Sequence, residues 1–249
     1  MSQIFIIIQA RTGSKRLPNK MIKSFYNDKS LLEITIERLK SLNIPIIVAT
    51  TKEKNDDAIE SIAISKDVLV FRGDENDVLS RFIEAATKFN VEKIIRICAD
   101  NPLLDLSSIL DLKNSFTESN VDYWCFATHD KTPTIKTHYG FWGEGVTINA
   151  LKRIKELTSE NLYREHVTNY IYTHPDKFSI HYEIINPIIE RNKLRLTLDT
   201  KNDFELIRKI YSDITNNKII INALNVSNFV LNRKDWLEIM ENEIKLNAK

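Results

Sequence analysis

Short apolar runs alternate with segments of helical period through the first half of the chain. Residues 4–9, Ile-Phe-Ile-Ile-Ile-Gln, are apolar at nearly every position, which predicts a strand covered on both faces. A helical period follows over 30–42, with Leu31, Leu32, Ile34, Leu39 and Leu42 on its apolar side, and Pro45 marks the turn into a second strand at 46–50. The same rhythm predicts a helix at 55–65, a strand at 68–71, a helix at 77–89, a strand at 93–97, a helix at 107–116 and a strand at 123–126. Strands joined by crossover helices imply a right-handed, mostly parallel sheet whose ligands bind at the strand C-termini. Arg11 and Asp100 both fall at such ends.

The second half is less regular. Strands are expected at 145–148, 179–183 and 194–198, and helices at 150–157, 161–173, 201–211 and 235–246. Thr200-Lys-Asn-Asp203 reads as a capping box opening the helix at 201, which fixes Asp199 at a strand-to-helix junction. Neither a low-complexity linker nor an internal repeat divides the chain, so residues 1–249 are expected to form a single domain.

Composition narrows the class without naming it. With 249 residues and 43% hydrophobic content the chain can bury a substantial core. A formal net charge of +1 gives no global field toward nucleic acid or an anionic membrane, so any anion binding must come from local clustering. The first apolar run is too short to span a bilayer and lacks a basic segment before it, which predicts a cytoplasmic protein with no membrane partner. Cys98 and Cys125 have neither disulfide-framework nor metal-ligand spacing.

The local cluster is the loop after the first strand. Gly13 allows close backbone approach, and Arg11, Lys15, Arg16 and Lys20 offer charge-assisted donors, a combination suited to a polyphosphate. It is neither a P-loop nor a dinucleotide fingerprint. Taken alone it also reads as a solvated basic turn. Asp100 and Asp199 at two strand ends suit magnesium, which takes oxygen ligands, although Asp100-Asn-Pro also reads as a turn and Asp199 as a helix cap.

The run Ala10-Arg-Thr-Gly-Ser-Lys-Arg-Leu-Pro-Asn-Lys20 resembles the signature loop of the cytidylyltransferases that activate sugar acids and related anionic sugars. Residues 70–82, 164–168, 194–200 and 203–207 resemble the spore-coat-polysaccharide branch of that family. The resemblance implies a Rossmann-like α/β nucleotidyltransferase fold, with a nucleotide-binding half over about 1–130 and an acceptor and dimerisation half over about 131–249. It implies transfer of CMP from CTP to an anionic acceptor with release of pyrophosphate, for surface-glycan precursor synthesis, and it allows a homodimer. Aspartates in the matching segments hold Mg2+ in the family, which carries that role to Asp100 and Asp199. On such a mechanism Arg16 and Lys20 stabilise the transferring phosphate, and Arg11, Gly13 and Ser14 cradle the remaining phosphates. Arg72, Asp77 and Arg81 match the segment beside the nucleoside, with Gln9 and Ala10 adding contacts from the strand end; Asp77 also reads as a helix cap. Arg164, Glu165 and His166 are the expected acceptor contacts, joined by Glu144. The aromatic Tyr139-Gly-Phe-Trp-Gly143 departs from the family pattern, so the resemblance does not fix the acceptor. A metal-dependent glycosyltransferase of similar fold would show Asp-x-Asp where Asp100-Asn-Pro stands. A non-catalytic nucleotide-binding protein would tolerate loss of Arg16, Lys20, Asp100 or Asp199, all of which are present.

Overall fold

The computed structural model describes residues 3–247. Strand β1 (Ile4–Gln9) leads into an irregular loop over 10–19, a hairpin of β2 (Ser24–Tyr26) and β3 (Lys29–Ser30), and helix α1 (Leu31–Lys40). Asn27 and Asp28 carry φ of 48° and 60°, the left-handed pair that a two-residue hairpin turn requires and that Asn and Asp tolerate. Then come β4 (Ile46–Thr51), α2 (Asp57–Ser65), β5 (Leu69–Gly73), α3 (Val78–Lys88), β6 (Lys93–Cys98), α4 (Leu106–Glu118) and β7 (Tyr123–Ala127). The second half adds β8 (Glu144–Thr147), α5 (Ile148–Leu157), α6 (Asn161–Glu165), α7 (Asn169–Thr173), β9 (Ile180–Ile184), α8 (Pro187–Glu190), α9 (Lys201–Asn216), α10 (Ala223–Leu231) and α11 (Lys234–Leu246).

Seven strands form one sheet in the order β5-β4-β1-β6-β8-β7-β9. β8 runs antiparallel to β6 and β7, and the other pairings are parallel. Helices cover both faces, as the uninterrupted apolar run of β1 requires. Ile6 and Ile8 pack with α1, α4, α9, α10 and α11, whereas Ile7 packs with α3, α5 and α7 on the opposite face. Each of these three isoleucines is fully buried and contributes about 1.5–3 kcal/mol by area bookkeeping. From β1 the chain steps outward to β4 and β5, then returns to β6 on the other side of β1. That reversal opens a crevice at the C-terminal ends of β1 and β6.

Two expectations fail in the second half. Residues 194–198 are buried but belong to no strand: the Leu196 and Thr197 N–H groups donate to the His138 carbonyl and the Leu198 N–H to that of Asp100. Their backbone bonds go to loop carbonyls instead of a ladder. The helix expected over 161–173 is broken between α6 and α7, because the chain turns at His166 (φ −106°, ψ 78°) to bring Thr168 into the core, where its hydroxyl donates to Glu144 Oε1 at 2.9 Å. The capping box at Thr200 is present, with Asp203 accepting from the Thr200 N–H and the Thr200 hydroxyl accepting from that of Asp203.

Candidate active site

The loop after β1 is tied down at both ends. Asp56, buried beyond β4, accepts from the Thr12 N–H at 2.7 Å and the Thr12 hydroxyl at 2.6 Å on one oxygen, and from the Thr51 N–H and hydroxyl on the other. Burial works to raise its carboxyl, but the bonds from Thr12 and Thr51 outweigh it and hold the group below the usual carboxylate range. At the far end Asn19 adopts a left-handed φ of 61°, its N–H donating to the Thr12 carbonyl, and so turns Lys20 inward. Gly13 faces Glu75: a Cβ there would lie 3.0 Å from Glu75 Oε1.

Lys20 joins the two aspartates. Its buried ammonium donates to Asp100 Oδ2 at 2.8 Å and to the Leu198 carbonyl at 2.6 Å, and lies 3.7 Å from Asp199 Oδ1. Arg16 pairs with Asp199 Oδ2 at 3.1 Å, and the buried Arg195 stands 3.7 Å from the same oxygen while gripping Asp203 through two bonds of 2.8 Å. The Leu198 N–H to Asp100 carbonyl bond of 3.0 Å fixes one aspartate segment against the other. Two carboxylates from separate segments thus converge on one cation, an oxygen-only donor set suited to Mg2+ completed by phosphate oxygens and water. Among the described residues no group of three His, Cys, Asp or Glu side chains could hold a metal.

The crevice is a cavity of about 290 Å³ lined by Gln9, Ala10, Arg11, Ser14, Arg16, Lys20, Asp100 and Glu165 of the expected set, together with Lys15, Met21, Arg96, Cys98 and Ala99. Asp199 lines an adjoining cavity with Thr134, Trp142 and Thr197. Beyond Arg16 and Arg96 a larger one of about 450 Å³ is lined by Lys136, His166, Asn169 and Tyr172, among others.

Several expected residues stand elsewhere. All three Arg72 guanidinium nitrogens are engaged, by Asp57, Glu60 and the Thr51 and Glu53 carbonyls, so the side chain braces β5 against α2. Asp77 caps α3 by accepting from the Ser80 N–H, and its other oxygen pairs with Arg164 at 3.2 Å. Arg164 therefore ties α6 to α3 and does not enter the cavity with Glu165. Arg81 is fully buried, donates to the Asp74 carbonyl, and is pushed down to about 10, chiefly by burial and then by the nearby Arg11 charge. Glu144 lies beneath the crevice: its oxygens accept from Arg96, Thr168 and the Tyr123 hydroxyl. Burial and Glu144 together drive the Tyr123 phenol well above its ordinary range.

Two residues escaped sequence reasoning. Asp56 joins Thr51, five positions away, to Thr12, 44 positions away, and the second of these contacts leaves no local signal. Arg96 did carry one, as the single arginine of Lys93-Ile-Ile-Arg-Ile-Cys98, a strand otherwise apolar at its centre.

A cationic loop facing two carboxylates at the switch point of a mostly parallel sheet defines an α/β nucleotidyltransferase. Residues 5–233 match the family model described as cytidylyltransferase, and the chain belongs to that family of CTP-dependent nucleotidyltransferases. It is 40% identical over 206 residues to an uncharacterised protein of Methanocaldococcus jannaschii, covering 82% of this chain and 81% of that one. It is 32% identical over 218 residues to the spore coat polysaccharide biosynthesis protein SpsF of Bacillus subtilis, covering 85% and 87%. Among solved structures, a cytidylyltransferase from Leptospira borgpetersenii superposes with a TM-score of 0.78 at 29% identity, over 97% of this chain and 98% of that one.

Proposed function

We propose that the protein transfers CMP from CTP to an anionic small-molecule acceptor, a sugar acid, sugar phosphate or small phosphate or phosphonate, with release of pyrophosphate. The observation that carries this reading is the Lys20 ammonium set between Asp100 and Asp199, with Arg16 on Asp199. An acceptor oxygen attacks the α-phosphorus, the bond from that phosphorus to the bridging oxygen breaks, and pyrophosphate leaves with the electron pair. Lys20 and Arg16 neutralise charge that grows on the α-phosphate and the departing group, while Arg11 and Ser14 hold the outer phosphates. Magnesium held by Asp100 and Asp199 would add charge neutralisation and in-line orientation. An already ionised acceptor oxygen gives up no proton; a hydroxyl acceptor needs a base to take one. Similarity to a spore coat polysaccharide biosynthesis protein supports a surface-glycan precursor as the product.

Pyrophosphate release is the test, measured with magnesium, each ribonucleoside triphosphate and a panel of anionic acceptors. Release that requires both CTP and an acceptor is expected. CTP that neither turns over nor raises the melting temperature would overturn the reading.

A further inference from the structure

Arg96 is a guanidinium in the middle of a buried strand, with its side chain 8% exposed. Burying a charge there is costly, and a buried ion pair is commonly no more stabilising than well-packed apolar residues, so fold stability alone does not account for it. Its neighbours hold it in one orientation. NH1 pairs with Glu144, whose oxygens also accept from Tyr123 and Thr168, and NH2 donates to Gln9 Oε1 at 3.1 Å, while Nε is buried with no hydrogen-bond partner. Burial opposes the charge on Arg96, but its electrostatic neighbours, Cys98 and Glu144 foremost, keep it firmly protonated.

Position gives this cation a use. Arg96 lines both the cavity that holds the cationic loop and the larger one beyond it, and so stands where the two meet. The larger cavity also carries Arg16, Lys136 and His166, has Tyr172 as an aromatic wall, and has no carboxylate among its lining residues. Lys136 sits 5.8 Å from the Tyr172 ring centre. A guanidinium held in one orientation at a cavity wall, with Arg16 and Lys136 lining the same cavity, is suited to a planar or tetrahedral anion.

We propose that Arg96 receives the anionic group of the acceptor, a carboxylate or a phosphate, and that Glu144 is the positioning residue that aims it. This rests on the cytidylyl-transfer reading above. It also gives Gln9 a role: through its bond to Arg96, it links acceptor occupancy to the nucleotide side of the crevice.

The experiment is CTP-dependent pyrophosphate release with paired acceptors, sugar acids and sugar phosphates against their neutral parent sugars, run alongside CTP-induced thermal shifts. Anionic acceptors alone should support release, and whether the acids or the phosphates do so identifies the anion. Arg96→Lys keeps the charge but loses the fork, and should raise the acceptor KM at least tenfold more than it weakens CTP binding. The double variant Arg96→Met with Glu144→Gln leaves no lone buried charge, and should fold and bind CTP yet lose acceptor-dependent release. Glu144→Gln alone should raise the acceptor KM with CTP affinity changed much less. Equal effects on CTP and acceptor, an unchanged acceptor KM, or turnover of neutral sugars would each overturn the assignment. CTP binding with no release from any anionic acceptor would refute the acceptor chemistry, whereas absence of CTP binding would strike the underlying function instead.

Discussion

Replacing Asp56 by Asn tests whether the cationic loop after β1 is held from beneath. The substitution keeps the shape of a buried side chain that four donors address, two from Thr12 and two from Thr51. An amide oxygen can still accept from Thr12, but the amide nitrogen then faces the Thr51 N–H, donor against donor. One buried donor left unsatisfied costs about 1–3 kcal/mol, and the charge assistance to the remaining bonds is lost as well. In a chain of this size each kcal/mol lowers the melting temperature by about 2–4 °C, so a fall of roughly 5 °C is expected at pH 7. Because Thr12 lies between Arg11 and Gly13, the loosened loop should also weaken CTP binding, by about tenfold. The pH dependence adds a sign. Asp56 is held below its unfolded value, so its contribution is complete above the unfolded pKa of about 3.9 and is lost as pH falls through the folded value. The stability gap between wild type and Asp56→Asn should therefore narrow on acidification. Urea unfolding from pH 7 to pH 3 and CTP titration measure both effects. A variant that melts with wild type and binds CTP equally would refute the latch.

Lys20→Met keeps the buried stem and removes the ammonium; kcat should fall by about 10²–10³ with a much smaller change in CTP affinity, and equal losses in both would make Lys20 a ground-state ligand only. Asp199→Asn should abolish magnesium-dependent turnover with the ligand-free melting midpoint nearly unchanged, and retained turnover would remove Asp199 from the metal site. Gly140→Ala forces a Cβ to within 2.6 Å of the Leu196 carbonyl oxygen at a φ of 69°, so left-handed strain and overlap together should destabilise by about 2–4 kcal/mol. A circular-dichroism melt within 2 °C of wild type would contradict that.

The strands of the seven-stranded sheet in the first half were legible because most of them write themselves as unbroken apolar runs, whereas the short β2–β3 hairpin carries no such run and was not foreseen. The same rule misled at Leu194, Leu196 and Leu198, which are buried in an irregular segment with no ladder partner: the apolar positions report burial, not pairing. Helical periodicity likewise runs on through His166-Val-Thr168, whereas the break there accompanies a tertiary contact, the Thr168 hydroxyl donating to Glu144. Helix α10 was missed because Asn222, its cap, opens a segment rich in Asn and Ser that favours turns as much as helix. The loop and the aspartates stood out as contiguous motifs, although their meeting at Lys20 is a tertiary fact. Arg96 takes its orientation from Glu144, 48 positions away, and no local pattern contains that relation.

The loop's attachments differ in strength, which bears on how a triphosphate would enter. Thr12 is fixed to a buried carboxylate and Lys20 to a buried carbonyl and a half-buried carboxylate, so both ends of the loop are rigid before any ligand arrives. Among the described residues Arg11 is held only by a 3.5 Å pair with Glu165 and a 3.4 Å bond to the Glu75 carbonyl, contacts of a kind worth about 0–1 kcal/mol near the surface. A charge-assisted bond to phosphate exceeds that. Arg11 can therefore exchange Glu165 for a phosphate at little cost, whereas moving Lys20 would break its bonds to Asp100 and to the Leu198 carbonyl. On the proposed cytidylyl-transfer reading, the rigid end would align the transferring phosphate and the loose end would adapt to the outer ones.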